Sequence, residues 1–352
     1  MNRREIFYRM TLGGKMYMVD FMASAETEAR LKCHFDINTE NELLDILGSD
    51  FYYLSTRDIS QNEGFLKCYK TKLPCTETER ICPLGIRWKR GAYDSKFSVD
   101  EAITGPLEKA SVPAEILAHH YPVPGDFDFT SLLLEADANS DRVRVGGLWS
   151  GIMGDCYRMY GFQRFLIDIA EAPDMIHTLV DRMTETYLSL NDMYFQTLKG
   201  KMEIWFFGND FGSQMGLLFN PDMWYDFFYD NIRRLCLLAR TYGLKVMMHS
   251  CGGIRPIIPY LIKAGVDILD PVQTTASDMA PEELAEIFGG RIIFHGGMDT
   301  QQLLPYGSPR QVVEERDGLI RIFTRKGGYI MAPGQVLGRD VPIDNILAMY
   351  SL

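Results

Sequence analysis

A histidine and a cysteine two residues apart, in His249-Ser250-Cys251, carry the sharpest chemical signal in this chain. They follow Lys245-Val246-Met247-Met248, which reads as a buried strand, and they precede Gly252-Gly253. At a strand end, an imidazole and a soft thiolate at this spacing can face one point, and the pair suits zinc. The same tripeptide also fits a packed histidine beside an inert cysteine. Catalytic zinc usually takes three protein ligands, and the tripeptide does not reveal a third. Asp210, in Gly208-Asn209-Asp210-Phe211-Gly212, is a carboxylate at another strand end. It can bind metal, hold a substrate hydroxyl or donate a proton. Asp210, His249 and Cys251 are therefore the candidate catalytic residues. Asn209, Gln273, His295 and Gln335 are hydrogen-bonding residues at strand ends and form the candidate substrate-binding set. Asp299 suits a cap for the helix after it, and Asp270, ahead of Pro271, suits a loop-fixing role. Cys68, Cys75 and Cys82 recur every seven residues, which is not the spacing of a zinc knuckle. They read as ordinary members of a β-rich insertion.

The elements that position these residues are clearest in the second half. Val143–Trp149, 203–208, Lys245–His249, 266–270, 291–295 and 329–332 read as strands, and the segments between them as helices. Pro281 stands at the first position of one helix with Gly289 beyond its end. Ser308-Pro309-Arg310-Gln311 opens another as a capping box, with Gly327-Gly328 after it. Asn220-Pro221-Asp222 opens a helix running to about Tyr242, with Trp224, Phe228, Leu235 and Leu238 at core-packing spacing. Helices are also expected near 25–32 and 162–170, and a first strand within 15–22. Strand–helix alternation with short links predicts a parallel sheet. No G-x-G-x-x-G follows a strand, and nearly every strand ends in polar, reactive residues. Eight strand ends converge on one mouth in a barrel, whereas an open sheet gathers only those at its switch point. The pattern predicts a (β/α)8 TIM barrel with an N-terminal extension. The whole chain, 1–352, reads as one domain, with an insertion and connector over about 60–140. The stretch from Gly64 to Phe97 is its β-rich part, and Tyr121–Asp126 a rigid connector.

Composition narrows the class. The net charge of -11 opposes binding to phosphate backbones. No apolar run approaches the roughly 18 residues of a membrane span, and the charged start Met1-Asn2-Arg3-Arg4-Glu5 is unlike a targeting segment. Seven cysteines, an odd number in a long chain, suggest reduced thiols and a cytoplasmic location.

With these residues in view, the chain resembles the uroporphyrinogen decarboxylase superfamily, in particular the branch of cobalamin-dependent methyltransferases that share its barrel. The resemblance is carried by Gly208–Gly212, by Gly243-Leu244-Lys245-Val246 leading to His249-Ser250-Cys251-Gly252, by Gly265–Gln273, by Gly296-Gly297-Met298-Asp299, and by Gly328–Pro333. Val19-Asp20-Phe21 and Thr27–Leu31 are also similar to the methyltransferase-like branch. In the coenzyme M methyltransferases of the superfamily, His-x-Cys and a distant Cys ligate zinc. His249 and Cys251 match the first two, and Gln335 stands where the third would fall, so the resemblance implies Asp210 or another rim carboxylate as substitute. Members that decarboxylate uroporphyrinogen carry an N-terminal arginine pair for the porphyrinogen carboxylates. Val19-Asp20-Phe21-Met22-Ala23, near that place, has none. The resemblance thus implies methyl transfer from a small methylated substrate, such as an aromatic O-methyl ether, to a corrinoid protein. Zinc would assist, and a homodimer is compatible. A decarboxylase and a non-catalytic corrinoid- or tetrapyrrole-binding protein are the alternatives.

Overall fold

The structure is a computed structural model that describes residues 1–55, 68–92 and 98–351. Eight parallel strands form a nearly closed barrel. We number them β1 (Tyr17–Val19), β2 (Phe51–Tyr53), β3 (Val143–Trp149), β4 (Ile204–Gly208), β5 (Lys245–His249), β6 (Ile268–Val272), β7 (Ile293–Met298) and β8 (Tyr329–Pro333). Hydrogen-bonded neighbours run β1-β8-β7-β6-β5-β4-β3-β2. Asp50 bridges the remaining seam: its N–H donates to Val19 O (2.8 Å) and its carboxylate accepts from Val19 N–H (2.9 Å).

The strands are apolar on both faces because both are covered. Along β4, Ile204 and Phe206 point into the barrel with Met18, Tyr53, Val145, Met247, Ile268 and Ile330. Trp205 and Phe207 point outward to the helical layer with Val246, Met248, Leu269 and Phe294. The helix Arg3–Thr11 plugs the bottom, inserting Phe7 and Met10 beneath the inward layer. The top is the mouth at the C-terminal strand ends, where barrels of this kind carry their sites.

Several expected elements differ in extent. The first strand is only Tyr17–Val19. The helix expected from Asn220 to Tyr242 is continuous but contains a π turn at Tyr225–Tyr229, between Pro221–Trp224 and Asp230–Thr241. The helix opened by Ser308 stops at Phe323, before the glycines. The helix Arg3–Thr11, the three-residue β2 and the 25-residue helix Pro173–Thr197 were not anticipated. Of the insertion, Glu79–Ile81, Arg87–Ala92 and Ser98–Thr104 form an antiparallel sheet. Residues 64–67 and 93–97 of the expected β-rich stretch lie outside the described residues. Among the described residues, no helix is long and apolar enough to cross a membrane.

Candidate metal centre at the barrel mouth

Strand ends deliver the candidate residues to one place. His249 is the last residue of β5, and the chain then turns through Ser250 and Cys251. Ser250 is buried; its N–H donates to Asp270 O (2.6 Å), and its Oγ accepts from Phe211 N–H (3.1 Å). This ties the loops after β4 and β5 to each other and to strand β6. At Gly252 (φ +85°), an added Cβ would lie 2.6 Å from the backbone of Gly212 and Ser213, so only glycine lets the β4 and β5 loops approach this closely. The packed turn returns Cys251 toward His249, with Sγ 3.2 Å from Nε2. Asp210, two residues beyond β4, lies with Oδ1 3.3 Å from the same Nε2 and accepts the Cys251 N–H at 3.1 Å.

Asp210, His249 and Cys251 thus offer a carboxylate oxygen, an imidazole nitrogen and a sulfur, all within 4.8 Å of one another. Tetrahedral zinc with bonds of about 2.0–2.3 Å has ligand–ligand edges of about 3.3–3.6 Å, and the two contacts to Nε2 come close to that. The donor set fits a zinc ion. His249 is oriented for the role: its Nδ1 lies 2.6 Å from Asp270 Oδ2, leaving Nε2 to face the cluster. Gln335, just beyond β8, donates its side-chain amide to Cys251 Sγ.

The electrostatics follow from burial and neighbours. Burial alone would push the His249 imidazole down, but Cys251, Asp210 and Asp270 together hold it well above the ordinary histidine range. Burial pushes the Cys251 thiol up, partly offset by His249. Asp270 is buried, which opposes its ionisation, but its two histidine partners outweigh that and hold it far below the usual carboxylate range; His249 and the Cys251 N–H hold the more exposed Asp210 there too. Metal binding here must therefore displace protons from His249 and Cys251.

The other candidates occupy different positions. Gln335 touches the cluster. Gln273 braces its rim, accepting from Gly252 N–H (2.9 Å) and donating to Gln214 (3.0 Å). Asn209 is buried, and its Oδ1 accepts from Met153 N–H (2.7 Å) at the start of the helix Ile152–Tyr160. His295 is buried too, between Asp20 (2.9 Å) and Asp270 (2.6 Å), one step behind His249. Asp299 caps the turn after β7, accepting from the N–H groups of Gln301, Gln302 and Leu303. Cys68 and Cys82 are buried and Cys75 is exposed; among the described residues they belong to no metal-ligating group.

Three participants escaped sequence reasoning. Asp270 is not merely a loop-fixing residue but the carboxylate between two histidines. Asp20, one residue beyond β1, anchors His295; in the sequence it stood out only within the family-like Val19-Asp20-Phe21, with no sign of a partner. Trp149 ends β3 with φ +62°, followed by Ser150 at +47°, two non-glycine residues in the left-handed region. Such strain concentrates at functional sites. Here it places the partly exposed indole 5.1 Å from the His249 ring.

The family model for uroporphyrinogen decarboxylase (URO-D) matches residues 121–352. Among solved structures, a methyltransferase from Methanosarcina mazei shares 15% identity, with 99% of this chain and 97% of that one covered, at a TM-score of 0.63. D-psicose 3-epimerase from Clostridium cellulolyticum H10 shares 12% over 71% of this chain and 94% of its own, at 0.40. No curated protein matches the chain. Since the family model spans well over half of the sequence, including β3 to β8 and every residue of the His249 cluster, this chain belongs to the uroporphyrinogen decarboxylase (URO-D) family.

Proposed function

We propose that the chain is a methyltransferase that moves a methyl group from a small methylated substrate, with an aromatic O-methyl ether as the representative case, to a corrinoid protein. The observation that carries this reading is the convergence of Asp210, His249 and Cys251 at the C-terminal ends of the barrel strands. These three residues would hold Zn²⁺, which when bound would supply Lewis acidity toward the heteroatom that bears the methyl group. The chain's own residues do the rest. Asp270 keeps His249 Nε2 aimed at the centre. Gln335 donates to Cys251 Sγ and so favours the thiolate. Asp210 is the most accessible of the three, at 57% side-chain exposure, and is placed to yield or share its position when substrate arrives. Trp149 offers a planar surface beside His249. A methyl acceptor on a second protein would approach from the exposed Asp210 side, and alignment with charge neutralisation would then lower the barrier. The sequence resemblance alone supports the corrinoid acceptor.

Decarboxylation is the second reading, favoured by the description of the matching family model. A substrate with many carboxylates needs cationic partners, yet the segment after β1 presents the buried carboxylate of Asp20. Purified protein should leave uroporphyrinogen unconverted, and turnover near 1 per second, ordinary for enzymes, would reverse the ranking. The deciding experiment measures zinc content and methylation of a corrinoid acceptor after reconstitution with zinc. His249→Ala and Cys251→Ala should each lose both. Asp210→Asn should lose at least about tenfold in methyl transfer, and zinc as well, because it removes one of three ligands. Full activity in zinc-free Cys251→Ala protein would overturn the metal-assisted reading.

A further inference from the structure

Ionisable side chains run in contact across the mouth of the barrel, beneath the metal centre. Tyr53 O–H donates to Asp20 Oδ2 at 2.6 Å, and the same oxygen lies 2.9 Å from His295 Nε2. His295 Nδ1 lies 2.6 Å from Asp270 Oδ1, a charge contact off the line of a good hydrogen bond. Asp270 Oδ2 then meets His249 Nδ1 at 2.6 Å. The chain starts on β2 and at the end of β1, passes through β7 and β6, and ends on β5. Asp20, His295 and Asp270 are each 1% exposed, and the layer below them is apolar, with Met18, Phe206, Met247, Ile268 and Ile330. Burying two carboxylates and an imidazole there is costly even when they are paired, and apolar replacements are often the more stable choice. Stability alone therefore does not explain the chain. Orientation does.

We propose that Asp20, His295 and Asp270 are positioning residues for His249, a strut from β1 to β5 that sets how tightly the centre holds Zn²⁺. The inference rests on the reading of Asp210, His249 and Cys251 as ligands. Asp270 accepts the Nδ1 proton of His249, so Nε2 is the nitrogen aimed at Cys251 and Asp210, and its lone pair faces them once its own proton is displaced on metal binding. A lone carboxylate could swing about its own side-chain bonds. Asp270 is held from swinging because its second oxygen meets His295, which Asp20 holds from the far side. Asp20 is pinned in turn by the Tyr53 hydroxyl on its side chain and the Tyr350 hydroxyl on its carbonyl (2.9 Å). All three strut residues are buried, so they act through His249 and not on substrate.

The test uses the full chain and Zn²⁺ itself, with affinity measured by competition against a chelating chromophore. The absorption spectrum of the Co²⁺-substituted protein reports ligand geometry, and the thermal midpoint of the metal-free protein reports folding. Asp270→Asn and His295→Gln should weaken Zn²⁺ binding about 10- to 100-fold and shift the Co²⁺ bands. Tyr53→Phe, which removes one hydroxyl at the far end, should weaken it about threefold, a smaller loss because it leaves the carboxylate–imidazole contacts in place. Folded variants with wild-type affinity and an unchanged Co²⁺ spectrum, altered only in thermal midpoint, overturn the strut. If the two larger changes prevent folding, Tyr53→Phe decides alone, and unchanged affinity there overturns the proposal. A wild-type protein that takes up no Zn²⁺ overturns the metal-centre reading and the strut together. Zinc-binding wild type with equally tight variants overturns the strut alone.

Discussion

At the scale of single residues, Gln335 is the most informative position. A carboxamide is a weak zinc ligand, and here it serves the thiol as a hydrogen-bond donor. Changing it to the isosteric acid, Gln335→Glu, places an anionic oxygen at the same reach and exchanges a donor for a standard zinc ligand. Zinc affinity should rise about tenfold, equivalent to about 1.4 kcal/mol, as read by chelator competition. An unchanged or lower affinity would mean that Gln335 matters only as the donor to Cys251. Asp210 is the complementary case. It is exposed where His249 is nearly enclosed, which suits the role proposed for it as the ligand that would yield most easily to substrate.

At the scale of elements, the mouth is shaped by strand ends that leave regular geometry. The pairing of β3 with β4 shifts register between Gly146 and Trp149, and the two left-handed residues follow at once. Ser150 is held in that conformation by Asn191, whose side-chain amide donates to its Oγ at 2.8 Å. The indole then lies over the last residue of β4: a Cβ added at Gly208 would sit 2.4 Å from the ring. Gly208→Ala should therefore push Trp149 out of place, at a cost of about 1–3 kcal/mol for overpacking, measured by chemical denaturation. Trp149→Ala in the same background should recover most of that loss. A fully additive pair would show that the indole is not what excludes the methyl group.

For the whole molecule, the buried charge chain makes stability depend on pH. Burial would push His295 down, but Asp270 and Asp20 raise it to about 9, above its ordinary value of 6.5. A folded-state value above the unfolded one means the charged histidine binds its proton more tightly in the native protein. Its contribution is complete below about pH 6.5 and is lost as the pH rises through about 9. His249, also raised, adds to the same trend in metal-free protein. The thermal midpoint of metal-free protein should fall by roughly 5 °C or more between pH 7 and 10, given the usual relation of midpoint to free energy for a chain of this size. His295→Gln should flatten that fall. A midpoint independent of pH over this window in wild type would contradict the charge pairing described here.

Much of the scaffold was legible from sequence, because strands and helices are written in local patterns. Apolar runs such as Ile204–Gly208 and Lys245–His249, the capping box at Ser308 and the helix from Pro281 that stops before Gly289 each depend on residues a few positions apart. The polar strand ends predicted a barrel, and His249-Ser250-Cys251 with Asp210 marked three donors that the fold brings within 4.8 Å of one another. Short elements were lost for the same reason: three residues of β2 carry too little pattern to stand out. What the tertiary structure decided is which buried charges meet. His295 finds Asp20 at a separation of 275 residues, Gln335 finds Cys251 at 84, and Asp270 finds His249 at 21. Those contacts follow from strand register, the near closure of eight strands and the turns at their ends. No local propensity encodes them, and so the residues proposed as ligands were visible in sequence while the buried contacts proposed to aim them were not.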